Sequence, residues 1–184
     1  MEAEDSRGKI VKEAVPAEII SIIGDILAGI ALTFLILPFE SFVLLIIIIP
    51  ALLSLRGNLS GPFIARTSRD LIVGDFNKRT FTENILATYA LSIITSIMIG
   101  ILTIIINYLL FDIKLLSNQT ILLIPIISII MELSLSMPTS TIMNIISFKY
   151  GYDPNNIVNP IMTALDDFFT VICFYISLII LGVP

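Results

Sequence analysis

The chain has no histidine and a single cysteine among its 184 residues, and only 14% of its residues are charged. Without histidine, a serine protease lacks its imidazole base, and a site dedicated to zinc or copper lacks most of its usual ligands. The one cysteine, Cys173, cannot form an intrachain disulfide, and its apolar surroundings suit a packing residue. The usual motifs of two-helix aspartyl proteases and metal-dependent lipid transferases are absent too, so we do not expect an enzyme.

Apolar residues dominate the chain instead. They make up 57% of it, and the mean hydropathy of +1.02 is too high for the surface of a water-soluble domain. A helix needs about 20 apolar residues to cross a bilayer. On that basis, the sequence predicts an all-α integral membrane protein whose domain 17–184 follows a polar tail, 1–16. Its five transmembrane helices are expected near 17–38, 42–73, 84–110, 120–148 and 157–182.

The distribution of lysine and arginine predicts the orientation, because these residues favour cytoplasmic loops. The side that holds the N-terminus carries Arg7, Lys9, Lys12, Arg66, Arg69, Lys78, Arg79 and Lys149. Lys114 falls on the other side, and Arg56 lies within the second helix. We therefore expect a multi-pass protein of the cell membrane with a cytoplasmic N-terminus and an external C-terminus. Basic residues are too scattered for nucleic acid, which leaves the lipid bilayer as the surroundings.

The second predicted helix is too long for the bilayer, at about 48 Å against a hydrocarbon core of about 30 Å. Its segment 56–62 contains two glycines and Pro62, which loosen helical hydrogen bonding, while Asn58 and Ser60 add side-chain oxygens. We expect an interruption there that lines a cavity, because unsatisfied backbone cannot face lipid. The alternative is an uninterrupted helix that extends into the cytoplasm.

Four acidic residues lie inside apolar helices, at Asp25, Glu132, Asp166 and Asp167. A charge at such a depth is costly unless it faces water, a partner or an ion. No basic residue lies at comparable depth in the same helices, although Arg56 can reach one acid from helix two. An interior with acids alone favours a cation. Asp25 and Glu132 are expected to line the path, to carry a coupling proton or to pair helices.

The fifth helix shows the most specific pattern. Asn159, Thr163 and Asp167 recur at steps of four, and with Asp166 they share a face about 100° wide. All four carry oxygens, which Mg²⁺ and Ca²⁺ prefer as ligands, and Mg²⁺ in particular keeps several waters beside one or two carboxylates. The pattern predicts a divalent-cation site and no cofactor. The alternative is that one aspartate pairs with Arg56 or hydrogen-bonds across helices.

Two segments of the chain resemble the MgtE-type magnesium transporters. The second helix carries a proline, a Gly-Asn pair and an arginine shortly before a glycine, at Pro50, Gly57, Asn58, Arg69 and Gly74. The fifth carries Asn-Pro-Ile-Met-Thr-Ala-Leu-Asp-Asp (159–167) after Gly-Tyr-Asp-Pro (151–154). Both motifs fall in the family's order and spacing, and the resemblance covers about residues 17 to 182.

The resemblance implies a homodimer of five-helix subunits with a pore at the two-fold axis, lined by helices two and five. Mg²⁺ is then the transported ion, with other divalent cations left open, and Asp167 is its principal ligand. Asn58, next to Gly57, corresponds to a position beside the pore. Thr163 and Asn159 correspond to pore-facing positions one and two turns before the aspartate.

The chain also departs from the family's pattern. Bacterial members carry large cytoplasmic sensor domains that a tail ending at residue 16 cannot supply, so we expect a different regulation. The family's Gly-Asn-x-Gly-x-Gln reads Gly-Asn-Leu-Ser-Gly-Pro here, and Asp166 is an additional carboxylate that either raises affinity or brings a second ion. Channel and carrier both remain open. A further alternative is a Na⁺- or H⁺-coupled transporter of another substrate that uses Asp25 and Glu132.

Overall fold

The computed structural model describes residues 7–39 and 41–184, and within these ranges the chain is built from helices. They are α1 (Arg7–Ile36), α2 (Phe42–Val73), α3 (Lys78–Ile106), α4 (Asn118–Lys149) and α5 (Pro154–Ile180), with a π-helical turn (Asn107–Phe111) that extends α3. All five long helices are long and apolar enough to cross a membrane. The prediction of five transmembrane helices is confirmed in the described part of the chain.

The first helix begins at Arg7 rather than at the expected boundary of residue 17. Lys9 and Glu13 form an ion pair one turn apart, with 3.9 Å between Nζ and Oε1. Asn156 at the start of α5 donates from Nδ2 to Oε2 of Glu13 at 3.1 Å. These contacts continue the helix into the polar segment and attach it to α5. The predicted tail before residue 7 lies outside the described residues.

The start and stop signals of α2, α3 and α5 are local. Oδ1 of Asn77 accepts the backbone N–H of Thr80 at 3.0 Å, and the Thr80 hydroxyl accepts the N–H of Asn77 at 3.4 Å, which caps α3 on both sides. Asp153 caps α5 through a backbone N–H two residues further on. Gly74 ends α2 at a φ of 80°, a conformation that glycine adopts without a Cβ clash. Gly74 thus fixes the end of α2 and Asp153 the start of α5, the two helices that carry the predicted site.

Helix α5 packs against α1, α2 and α4, and α3 packs on the other side of α2 and α4. The apolar core between these helices falls into layers. One layer joins α2, α4 and α5 through Leu44, Leu45, Ile48, Leu52, Ile121, Ile124, Phe174 and Leu178. Another joins α2 and α5 through Ile64, Val158 and Met162. Of the predicted site residues, all but Asn159 lie on the segments of α2 and α5 between these two layers.

Helix α1 approaches α5 most closely at Gly24. A Cβ atom built at Gly24 would overlap the Cβ of Ala164, so glycine is needed at this crossing. Small residues let membrane helices approach in this way. The crossing brings Asp25, the next residue of α1, to within electrostatic reach of Asp167, which follows Ala164 by about one helical turn.

Helix α2 is continuous from Phe42 to Val73, so the interruption predicted at 56–62 is wrong. Proline removes one helical hydrogen bond and crowds the preceding turn, and glycine weakens a helix. Packing against neighbouring helices can outweigh both of these local effects. Here the helix is held on both sides of Pro62 by the buried side chains of Leu59 and Phe63, which pack against α3 and α4.

Polar contacts also hold the C-terminal half of α2 in place. Nε of Arg66 donates to Oδ1 of Asn84 on α3, and Nδ2 of Asn144 on α4 donates to the carbonyl of Ile64 at 3.2 Å. Helix α2 is therefore a single rod of about 48 Å. The continuity agrees with the alternative of an uninterrupted helix, and its extension into the cytoplasm stays a prediction.

Candidate cation site

Three of the four acids that the sequence distributes over three helices interact with one arginine, and the fourth, Asp25, interacts with one of these three. Arg56 of α2 is only 5% exposed, and its Nη2 pairs with Oδ1 of Asp167 on α5. The guanidinium also interacts electrostatically with Glu132 on α4 and with Asp166. Asp25 on α1 interacts with Asp167. These five residues form the acid cluster, which draws on four helices.

The acid cluster lies between the two apolar layers of the core. Along α5 it follows Val158 and Met162 and precedes Phe174 and Leu178. Apolar side chains on both sides keep the local dielectric low, so each charge needs a partner or an ion. The cluster therefore lies within the apolar part of the helix bundle.

The two neighbouring aspartates of α5 face different surroundings. Asp166 is fully buried, near the hydroxyls of Ser60 and Ser136. The side chain of Asp167 is 19% exposed and borders the outer surface of the subunit. The difference follows from the rotation of about 100° between consecutive helical residues. An ion arriving from outside the subunit can reach Asp167 and cannot reach Asp166.

The other predicted site residues lie on the surface of α2 and α5. Asn159 is exposed, and its carbonyl accepts the Thr163 hydroxyl at 2.9 Å. Gly61 faces Asn159 across the helix pair, since a Cβ there would lie 3.8 Å from Oδ1 of Asn159. Gly57 and Asn58 are exposed on α2. Apart from Asp166, the predicted site residues are therefore at least partly exposed on the surface of α2 or α5.

The exposed surface of α2 is unusual for a membrane helix. Every residue between Ile46 and Ile72 is described, and none of the large hydrophobic residues among them is exposed. We call the exposed residues of this stretch the polar face of α2: Pro50, Ser54, Gly57, Asn58, Pro62, Ala65, Arg66 and Arg69. Small and polar side chains gain nothing from lipid tails, so this face suits water or a second protein surface.

The interior of the acid cluster has unsatisfied groups. Among the residues that the structure describes, neither carboxylate oxygen of Glu132 or Asp166 accepts a hydrogen bond of normal geometry, although the Ser136 hydroxyl lies near both acids and the Ser60 hydroxyl near Asp166. Nε of Arg56 and Oδ1 of Asp25 have no hydrogen-bond partner there either. A buried polar atom without a partner costs about 1–3 kcal/mol, and a charged one costs more. Glu132 and Asp166 are therefore costly groups to bury.

The part of the chain that the structure describes holds no group of three or more acidic or cysteine side chains arranged around a metal ion. A cation at the accessible edge would meet two carboxylates, Asp167 and Asp25, with water, hydroxyls and backbone carbonyls as its other ligands. This sparse donor set matches the chemistry of Mg²⁺, which is commonly held by one or two carboxylates and keeps part of its water shell.

Comparison with known protein families decides the class of the protein. The family model MgtE, described as a divalent cation transporter, matches residues 49–177. The chain belongs to the MgtE family. The resemblance expected from the two motifs is thereby confirmed, and the chain is a multi-pass membrane protein of a transporter family rather than an enzyme family. No curated protein and no solved structure matches the chain.

The MgtE match includes Arg56 and three of the four acids, with Asp25 outside it. The sequence-based list of site residues omitted Arg56, Asp25 and Glu132. The same signal, an ionisable side chain within an apolar helix, had drawn attention to Asp25 and Glu132. The alternative in which one aspartate pairs with Arg56 is observed for Asp167, whereas the meeting of Glu132 and Asp25 with the other acids was not indicated by the sequence.

Proposed function

We propose that the protein moves a partly hydrated divalent cation, Mg²⁺, across the membrane along the polar face of α2 and the adjoining surface of α5, with Asp167 as the principal ligand. The observation that carries the proposal is the accessible carboxylate of Asp167 at membrane depth, beside a helix that exposes no large apolar residue over the same stretch. The MgtE match supports divalent cations as the class of substrate.

The groups near Asp167 suit an ion that keeps part of its water. Asp25 supplies a second carboxylate, and Asn58, Asn159 and Thr163 supply oxygens that can hold first-shell waters. Pro62 has no N–H, so the carbonyl of Asn58 loses its usual helical donor and is available as a further ligand. The direct ligands are few, which keeps binding weak enough for the ion to leave.

We further propose that the path is completed by a second copy of the chain. The polar face of α2 is open in the single subunit, and a path for ions needs a second wall to exclude lipid. A two-fold axis beside α2 and α5 would place two copies of Asp167 opposite each other. In this homodimer, the polar residues of both helices are surrounded by water and protein rather than by lipid.

The homodimer is tested by disulfide cross-linking in native membranes. With Cys173 replaced by alanine, Thr163→Cys on α5 should give a covalent dimer under mild oxidation. Ile30→Cys, on the exposed surface of α1, is the matched control and should remain monomeric. Cross-linking through Ile30→Cys with none through Thr163→Cys would contradict the proposed axis.

We propose that the N-terminus is cytoplasmic and that the membrane is the cell membrane. Lys9 and Lys12 border the same surface groove as Gly151 and Tyr152, so the start of α1 and the α4–α5 connection lie on one side of the bundle. The basic residues near these segments then face the cytoplasm, as the charge rule requires.

Flux measured in proteoliposomes tests the function. Asp167→Asn and Asp167→Ala should abolish Mg²⁺ uptake, because the principal carboxylate ligand at the path is lost. Unchanged uptake in both variants would overturn the assignment. Loss in Asp166→Ala with normal flux in the Asp167 variants would move the site by one residue. Uptake that needs a sodium or proton gradient and carries no Mg²⁺ would instead favour a coupled transporter of another substrate.

A further inference from the structure

Arg56 faces more carboxylates than it can pair with at one time. Its Nη2 is engaged by Asp167, and its Nε has no hydrogen-bond partner among the described residues. Behind it, Glu132 and Asp166 are both fully buried, and none of their four carboxylate oxygens has a partner there. All three carboxylates interact electrostatically with the same guanidinium.

We propose that the guanidinium of Arg56 exchanges between two carboxylate partners. One is Asp167 beside the ion path, and the other is the buried pair of Glu132 and Asp166 behind it. The inference rests on the proposed role of Asp167 as the ion ligand. In the arrangement observed, the guanidinium occupies Asp167. A divalent cation that arrives at Asp167 displaces the guanidinium to the buried pair, and the return of the guanidinium to Asp167 releases the cation.

Charge repulsion makes the two occupants of Asp167 exclusive. A guanidinium and a divalent cation on the same carboxylate repel each other strongly at the low dielectric of the bundle interior. Arginine keeps its charge in any protein environment, so it cannot yield by losing a proton. It must move to another anion when the ion binds.

The buried pair is suited to receive the guanidinium. Glu132 and Asp166 interact with each other from α4 and α5, and a buried carboxylate is strongly stabilised by a counter-ion that also hydrogen-bonds to it. The planar guanidinium has five N–H donors in a fixed fork, which matches the vacant carboxylate oxygens. Ser60, about one turn beyond Arg56 on α2, and Ser136 already lie beside Asp166.

Burial argues that the occupant of the pair is the side chain and not a second metal ion. Both acids are 0% exposed, whereas the Asp167 side chain is 19% exposed. An ion would have to pass Arg56 and lose its water shell to reach the pair. The guanidinium is already buried within electrostatic reach of the pair and needs no route from solvent.

The experiment measures Mg²⁺ affinity of the purified full-length chain by titration, followed through the ion-dependent rise of the unfolding temperature. Arg56→Gln removes the competitor at Asp167, so the apparent Kd should fall about tenfold, within the usual range of coupling between two sites. Glu132→Gln weakens the buried carboxylate pair as a partner for the guanidinium and keeps the guanidinium at Asp167. The apparent Kd for Mg²⁺ should therefore rise about tenfold.

A double-mutant cycle separates this exchange from direct ion binding by the buried pair. The effect of Glu132→Gln should largely disappear in the Arg56→Gln background and persist in the Arg56→Lys background, where the tethered charge remains. Arg79→Gln is the control. Its guanidinium pairs with Glu83 on the exposed start of α3, outside the acid cluster and the polar face of α2, so Mg²⁺ affinity should not change.

Each other outcome decides against one specific claim. A Glu132→Gln effect that is equal with and without Arg56 would make the pair an ion site and overturn the exchange. If Asp167→Asn abolishes Mg²⁺ binding while Arg56→Gln leaves the affinity unchanged, the exchange fails and the proposed function stands. If Asp167→Asn binds Mg²⁺ normally, the proposed function fails. Should Arg56→Gln not fold, unchanged or tighter binding in Glu132→Gln alone overturns the exchange.

Discussion

The exposed faces of α1 and α2 differ, although their most apolar stretches have nearly the same mean hydropathy. Helix α1 exposes an almost continuous apolar surface, formed by Ile19, Ile20, Ile22, Ile23, Ile26, Leu27, Ile30 and Phe34. Helix α2 exposes the small and polar residues of its polar face over a similar length. Hydropathy therefore shows that a helix is in the membrane, while the exposed residues show whether it meets lipid or a path for ions.

The largest expected difference between these faces is their tolerance of a charge. Ile26→Lys on α1 places an ammonium among lipid tails, which costs about 2.5–3.5 kcal/mol at the centre of a membrane helix. Asn58→Lys on the polar face of α2 should cost much less, because water is available there. The yield of folded protein and the unfolding temperature in lipid nanodiscs measure both. A greater loss for Asn58→Lys would break the comparison.

The next effect concerns the side of α1 that packs on α5. Gly24→Ala inserts a methyl group into the contact with Ala164, and overpacking of this kind typically costs about 1–3 kcal/mol. Gly29→Ala on the same helix is the matched control, since a Cβ there meets nothing within 4 Å. Its effect on stability should stay within about 0.5 kcal/mol. Equal destabilisation of the two variants would contradict the close crossing at Gly24.

A smaller effect is expected when the polar face is made apolar. Asn58→Leu removes an amide that can hold water along the path, and we expect Mg²⁺ flux in proteoliposomes to fall about tenfold, or about 1.4 kcal/mol in barrier height. Ile26→Leu makes a similar apolar surface on α1 and should leave flux unchanged. Equal flux in the two variants would place the path elsewhere.

The five helices could be predicted because hydropathy and length are properties of consecutive residues. The convergence of the acids could not, because it depends on contacts between helices. Asp25 reaches Asp167 only through the close approach at Gly24, and Glu132 reaches Asp166 only because α4 packs on α5. Each acid was visible as a costly residue in an apolar helix. Arg56 was expected to reach one of the acids, but not to interact with three of them.

Helix α2 shows where local preferences mislead. Gly57, Gly61 and Pro62 predict a break, and the structure keeps the helix whole because its other face is buried against α3 and α4. The periodicity of α5 likewise placed Asp166 and Asp167 on one broad face without showing which of them is covered. Only the packing of α5 on its neighbours buries Asp166 and leaves Asp167 at the surface.

The most direct measurement is the reactivity of engineered cysteines toward a charged, membrane-impermeant thiol reagent in native membranes. The native Cys173 is 1% exposed, and replacing it with alanine removes the single native thiol of the sequence. Asn58→Cys on α2 should react, and Mg²⁺ should slow the reaction, while Ile26→Cys on α1 should stay unmodified. Modification of Ile26→Cys with none of Asn58→Cys would contradict a water-filled path along α2.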